Sequence, residues 1–187
     1  MKNRYIFCVL FAALIAVSNF FQIPAGPIPI VLKNIFVVLA GTVLGSFYGG
    51  VALLIFIAAG LIGIPVFVIP GGLGVFNTPL AGYIIGYFIG ALAAGLVAGL
   101  PSVSEKKLKP IPVIRVCIGS LLGFALILLC GALYLMHLNN ITFTAAIIAG
   151  AAPFIAVDLI KLIISIPLAL ALRPIAARYL YVNSKKY

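Results

Sequence analysis

Two side chains in this sequence have the types and spacing for a site inside a membrane. Asp158 and Lys161 stand three residues apart within residues 153–172, a run that is otherwise almost wholly apolar. On a helix that spacing puts an acid and a base on one face. An ionisable group at membrane depth costs roughly 2.5–3.5 kcal/mol on insertion scales, so it marks function by default. A carboxylate there accepts hydrogen bonds and an ammonium donates them, so the pair can grip a small polar guest. The pair could also neutralise itself and hold a bundle together, but a purely structural pair would be replaceable by apolar packing. The chain carries two acids in all, and the other, Glu105, sits in a polar loop.

The elements that must position this pair are membrane spans. Of 187 residues, 65% are hydrophobic and 7% are charged. That composition implies one integral membrane domain, all-α, with no separate soluble domain. Six apolar runs cover roughly residues 5–21, 30–44, 51–64, 80–100, 113–135 and 153–172. The stretch 23–29 is rich in proline, and residues 45–50 (Gly-Ser-Phe-Tyr-Gly-Gly) read as a turn. Lys2 and Arg4 before the first run resemble a signal peptide, but the run is span-length and Gln22–Pro27 is a poor cleavage context, so an uncleaved first helix is expected.

Six spans put both termini on one side. Lys2, Arg4, Lys106, Lys107, Lys109, Arg115, Arg173, Arg178, Lys185 and Lys186 then share that side, while Lys33 alone faces the other. The positive-inside rule makes the shared side cytoplasmic, in a multi-pass inner or plasma membrane protein of prokaryotic type. The net charge of +10 is thereby read as topology, not as nucleic-acid binding. Cys8, Cys117 and Cys130 lie in apolar runs without paired spacing, and His137 is the single histidine, so no disulfide framework or metal site is expected. Tyr5, Tyr134, Tyr179 and Tyr181 fall near span ends as interface anchors.

In that orientation Asp158 lies roughly 8 Å below the outer start of span six, and Lys161 lies one turn deeper. Three outer connections, 23–29, 65–79 and 137–140, lie above the pair. Gly71, Gly72 and Gly74 would let backbone approach a ligand, with Asn77, Tyr83 and Tyr87 beside or below that loop. Lys33 either meets a ligand or snorkels outward. The expectation is an outward-facing pocket capped by loops and lined by Asp158, Lys161, Asn77, Tyr83, Tyr87 and Lys33. There is no phosphate-binding Gly-x-x-x-x-Gly-Lys-Ser/Thr loop and no nucleophile–base set. The chain therefore reads as a capture protein and not an enzyme, needing no cofactor, with energy supplied by partners. Ala12 and Ala16 have the small-x-x-x-small spacing that permits close helix docking.

Four stretches resemble the biotin-specific S components (BioY) of the energy-coupling factor transporters. They are Ile-Pro-x-Gly-Pro-Ile-Pro-Ile-Val-Leu-Lys-Asn from Ile23, Gly-Leu-Ile-Gly-Ile-Pro-Val-Phe from Gly60, the glycine loop and helix start over 71–86, and Pro-x-x-x-x-Asp-x-x-Lys from Pro153. The resemblance implies a six-helix subunit that captures biotin from outside. It also implies a transmembrane T component and two ATPase subunits as partners, docking on Ala12 and Ala16, and toppling in the membrane for release. It assigns the ligand's ureido and carboxylate groups to Asp158 and Lys161, without saying which group meets which end. The sequence departs from the family pattern at Lys33 and Asn34, where Gln-Thr is usual, and over 78–83, where Thr-Pro-Leu-Ala-Gly-Tyr replaces Gly-Pro-Thr-Gly-Gly-Tyr. Those departures leave a related vitamin-like ligand, or a ligand-free structural subunit, as alternatives.

Overall fold

In lipid a backbone must satisfy its own hydrogen bonds, so long apolar runs become helices. A computed structural model follows that rule and describes residues 2–23, 30–67, 72–103 and 110–182. Six helices run α1 (Lys2–Ser18), α2 (Lys33–Leu61), α3 (Leu80–Ala98), α4 (Pro110–Asn139), α5 (Phe143–Gly150) and α6 (Ala152–Ala177). A 3₁₀ turn, Leu73–Asn77, precedes α3, and a wide π turn, Arg178–Val182, follows α6. Pro110 opens α4 in the first turn, where its missing N–H costs nothing. Thr142 caps α5, its hydroxyl accepting from the Ala145 N–H at 3.3 Å. Residues 24–29, Pro70, Gly71, residues 104–109, Lys185 and Lys186 lie outside the described residues.

One feature was not foreseen and one expectation changes. The all-helical build carries a small addition, in which β1 (Gln22–Ile23) pairs antiparallel with β2 (Ile30–Val31), joining Gln22 to Val31 and Ile23 to Ile30. The turn expected over 45–50 shrinks to one residue. Gly45 leaves the helix at φ 82°, ψ 169°, and helix resumes at once. That φ is open to glycine and strained for other residues. The chain folds back there, since a Cβ built on Gly49 would lie 2.7 Å from the Ala40 carbonyl oxygen. α2 is thus a hairpin of two arms, 33–44 and 46–61, and the two runs read from the sequence are its two arms. Taken by length and composition, four of the helices could cross a membrane, with α1 shorter.

Small residues set close contacts between α3 and α4. A Cβ on Gly90 would lie 2.8 Å from the Gly123 carbonyl oxygen, and one on Gly119 would lie 2.7 Å from that of Ala94. Such spacing lets helix backbones approach closely. α6 is packed more openly, with Ile155, Leu159, Ile160, Ile163 and Ile164 exposed.

The two ends of the bundle differ in chemistry. At one end Arg173, 1% exposed, donates to the carbonyls of Thr42 (2.5 Å), Ala98 (3.1 Å), Gly99 and Leu100 (both 3.3 Å). Tyr181 adds a bond to the Leu44 carbonyl at 2.8 Å, and the ring of Phe7 lies 5.5 Å from that of Tyr179. Arg173, one of the basic residues that orients the chain, is therefore buried and not displayed in a loop. Helix C-termini carry partial negative charge, which a guanidinium fork meets without a carboxylate. The opposite end gathers the starts of α2, α3 and α6.

Candidate ligand-binding site

Residues of α6 and α3 meet at that second end. α6 places Asp158 and Lys161 one turn apart on its inner face, and both are 4% exposed. Their ion pair closes at 2.6 Å. The second carboxylate oxygen, Asp158 Oδ2, is buried with no hydrogen-bond partner. A buried acceptor left unpaired costs about 1–3 kcal/mol.

α3 brings Tyr83 and Tyr87 to the same place, four residues apart on one face, 5% and 4% exposed. The Tyr83 hydroxyl donates to the Gly150 carbonyl at the end of α5, and its ring packs edge-on against Phe154 at 6.4 Å. Room for the Tyr83 ring comes from Gly131 on α4, where a Cβ would lie 2.3 Å from it.

Val31, Asn34, Tyr83, Tyr87, Leu128, Phe154 and Lys161 enclose a cavity of about 20 Å³. That is room for roughly one water molecule. Beside it, α4, α5 and α6 border an open cleft of about 460 Å³, apolar apart from Asp158. Leu128 lines both spaces, and the ion pair stands between them, Lys161 facing the first and Asp158 the second. Ligand pockets commonly measure roughly 300–1,000 Å³, so the cleft has the volume of a small-molecule site and the cavity alone does not.

The remaining predicted residues are distributed differently. Lys33 is 3% exposed and does not snorkel. Its ammonium donates to Asn19 Oδ1 at 2.8 Å and lies 5.4 Å from the Tyr87 ring centre and 5.9 Å from that of Phe56. It therefore stands behind Tyr87 and does not line the cavity. Asn77 is exposed on its 3₁₀ turn and outside both spaces. The turn itself is tied to the bundle by Tyr134, whose hydroxyl donates to the Phe76 carbonyl at 2.5 Å. Gly72 donates to the Gly60 carbonyl at 2.8 Å, fastening the far side of the same loop. On α1, Ala12 is buried and Ala16 half-buried against the rest of the chain. No group of three or more metal-ligating side chains exists among the described residues.

Asn34 was not among the predicted site residues. It stands in the first turn of α2, is 7% exposed, lines the cavity and neighbours the Asp158 carboxylate. Its signal in the sequence was an amide opening a long apolar helix, at a position already noted as a departure.

The BioY family model matches residues 2–178. The chain belongs to the BioY family. Among curated relatives, the biotin transporter BioY of Thermotoga maritima is 34% identical over 166 residues, covering 88% of this chain and 92% of that one. The biotin transporter BioY of Rhodobacter capsulatus is 37% identical over 181 residues, covering 88% and 90%. The probable biotin transporter BioY of Pyrococcus horikoshii is 34% identical over 163 residues, covering 86% and 91%. The fold resembles the crystal structure of an S-component for biotin from an ECF-type ABC transporter. That match has a TM-score of 0.79 at 28% identity and covers 91% of this chain and 90% of the other. The BioY resemblance and the all-helical, S-component-like fold expected from the sequence thus hold.

Proposed function

We propose that this chain is the substrate-capture (S) subunit of a BioY-type transporter and that its substrate is biotin. The observation that carries the reading is the buried Asp158–Lys161 pair, set between a polar cavity and a ligand-sized apolar cleft. A carboxylate oxygen without a partner stands ready for a ligand donor. Biotin has an amphipathic build to match, with a polar ureido ring beside a thioether ring and an alkyl chain. The names of the family relatives support the same substrate.

The site lies at the outer face, and the Arg173 end faces the cytoplasm together with both termini. The basic residues counted in the sequence support that orientation. Its place is a prokaryotic plasma membrane, crossed six times by α1, the two arms of α2, α3, α4 and α6. A transmembrane T component and two ATPase subunits would supply energy, since this sequence has no phosphate-binding loop. Ala16 remains reachable at the edge of α1 for docking, whereas Ala12 would need a neighbour to shift.

Equilibrium binding of labelled biotin to the purified protein tests the reading. A hydrogen bond to a charged group is worth about 1.5–3 kcal/mol, so Asp158→Ala and Lys161→Ala should each weaken binding by about 10-fold or more. Parent-like binding by both folded variants would place the site elsewhere. A second reading, capture of a different vitamin-like anion, draws on Lys33, a second buried cation that touches the Tyr87 ring. A competition panel of small vitamins separates the two.

A further inference from the structure

Lys33 carries a buried charge that the site does not use. It stands in the first turn of α2 and lines neither the cavity nor the cleft. A buried cation ordinarily meets a carboxylate, but the one acid among the described residues, Asp158, is closed on Lys161. The position adds a second cost, because the N-terminal end of a helix carries partial positive charge. An apolar side chain there would avoid both costs.

What holds the ammonium is neutral. It donates to Asn19 Oδ1 at 2.8 Å, and the ring centres of Tyr87 and Phe56 lie 5.4 and 5.9 Å away. An aromatic ring within about 6 Å attracts a cation, most strongly where water is excluded. An ammonium has three N–H groups, so one serves Asn19 while the charge still meets the rings. Asn19 is itself fixed to the last turn of α1, its backbone N–H bonded to the Ala16 carbonyl at 3.1 Å. Tyr87, in turn, lines the cavity. Asn19, Lys33 and Tyr87 thus form a chain of contacts from the end of α1, across α2, to the cavity wall on α3.

We infer that Lys33 is a positioning residue for ligand capture: held by Asn19, its ammonium fixes the Tyr87 ring in the cavity wall. The inference rests on the S-subunit reading and deepens it, extending the site to two residues that line neither space. The three side chains act in series, so losing the acceptor, the charge or the ring removes the same contribution to binding.

The test uses the purified full chain and labelled biotin. Lys33→Met keeps an unbranched side chain without the charge, and should weaken binding by about tenfold, the worth of a desolvated cation–ring contact. In a Tyr87→Leu background the same change should cost less than about threefold, because the ring through which the charge acts is gone. An equal cost in both backgrounds overturns the inference and makes Lys33 a tie between helices. Parent-like binding in folded Lys33→Met, or in folded Asn19→Leu, overturns it as well. Size-exclusion behaviour reports folding. If Lys33→Met does not fold, Lys33→Gln, which keeps an N–H for Asn19 but not the charge, carries the same two expectations. A parent that does not bind biotin sinks the S-subunit assignment itself. Fluorine NMR of fluorotyrosine-labelled protein then decides the positioning alone, with the Tyr87 resonance assigned by its loss in Tyr87→Phe. That resonance should move in Lys33→Gln while the Tyr134 resonance stays, and an unmoved Tyr87 resonance overturns the inference.

Discussion

Two buried charged arrangements differ sharply: the Asp158–Lys161 pair, and Arg173 with its backbone carbonyls. Asp158 and Lys161 were legible as a site because charges are so scarce in this sequence that their spacing stands out. Replacing both with leucine should give a protein nearer the parent in thermal stability than either single replacement, yet unable to bind ligand. Thermal unfolding in detergent beside a binding assay checks this, and retained binding in the double variant would mean that the pair only holds the bundle. Arg173 was legible only as a topology signal. Its acceptors are backbone carbonyls 73 to 131 residues away, and no side-chain pattern announces them. Arg173→Leu should cost about 3 kcal/mol or more in stability, because buried carbonyls lose a charged donor. Biotin affinity of the folded fraction should stay within about threefold, since the guanidinium lies at the other end of the bundle. Arg173→Lys keeps the charge but not the fork, and should recover less than half of the lost stability. Asn77 shows the reverse limit. Its proximity to the glycine loop in sequence suggested a ligand contact, but the 3₁₀ turn leaves it exposed.

At the scale of elements, the order of the long helices was readable from apolar runs, but two runs became the arms of one helix, α5 was not among the spans, and helix ends were less legible. Spans read as 80–100, 113–135 and 153–172 became Leu80–Ala98, Pro110–Asn139 and Ala152–Ala177. Prolines within α6, Pro167 and Pro174, did not end it. The glycines that let α3 meet α4 carried a readable small-x-x-x-small spacing at Gly82, Gly86 and Gly90, but which helix they face is a tertiary fact. Gly131 is where packing and site coincide. Gly131→Val would push into the Tyr83 ring, and it should weaken biotin binding by about tenfold while lowering thermal stability. Gly74→Ala has open space and should change neither. Equal behaviour of the two variants would show that the Tyr83 ring position is immaterial to the ligand.

Over the whole molecule, packing is uneven. α3 and α4 meet at backbone distance, while α6 buries Asp158 and Lys161 and leaves Ile160, Ile163 and Ile164 exposed. The cavity of about 20 Å³ cannot take a vitamin as it stands, so a ligand seated in the cleft of about 460 Å³ reaches it only by displacing Leu128, which lines both. Amide hydrogen exchange should therefore slow on biotin binding at the outer half of α6 and in α5, with little change in the facing halves of α3 and α4. Uniform slowing across all helices would contradict this division. The hairpin in α2 has a consequence for the lipid. Its arms, 33–44 and 46–61, reach only roughly 18 and 24 Å, against a hydrocarbon layer of about 30 Å. The first arm is buried among its neighbours, whereas Leu54 on the second is exposed, so a thinner bilayer would match that arm better. Discs of short-chain phosphatidylcholine should raise its unfolding temperature above that in long-chain discs.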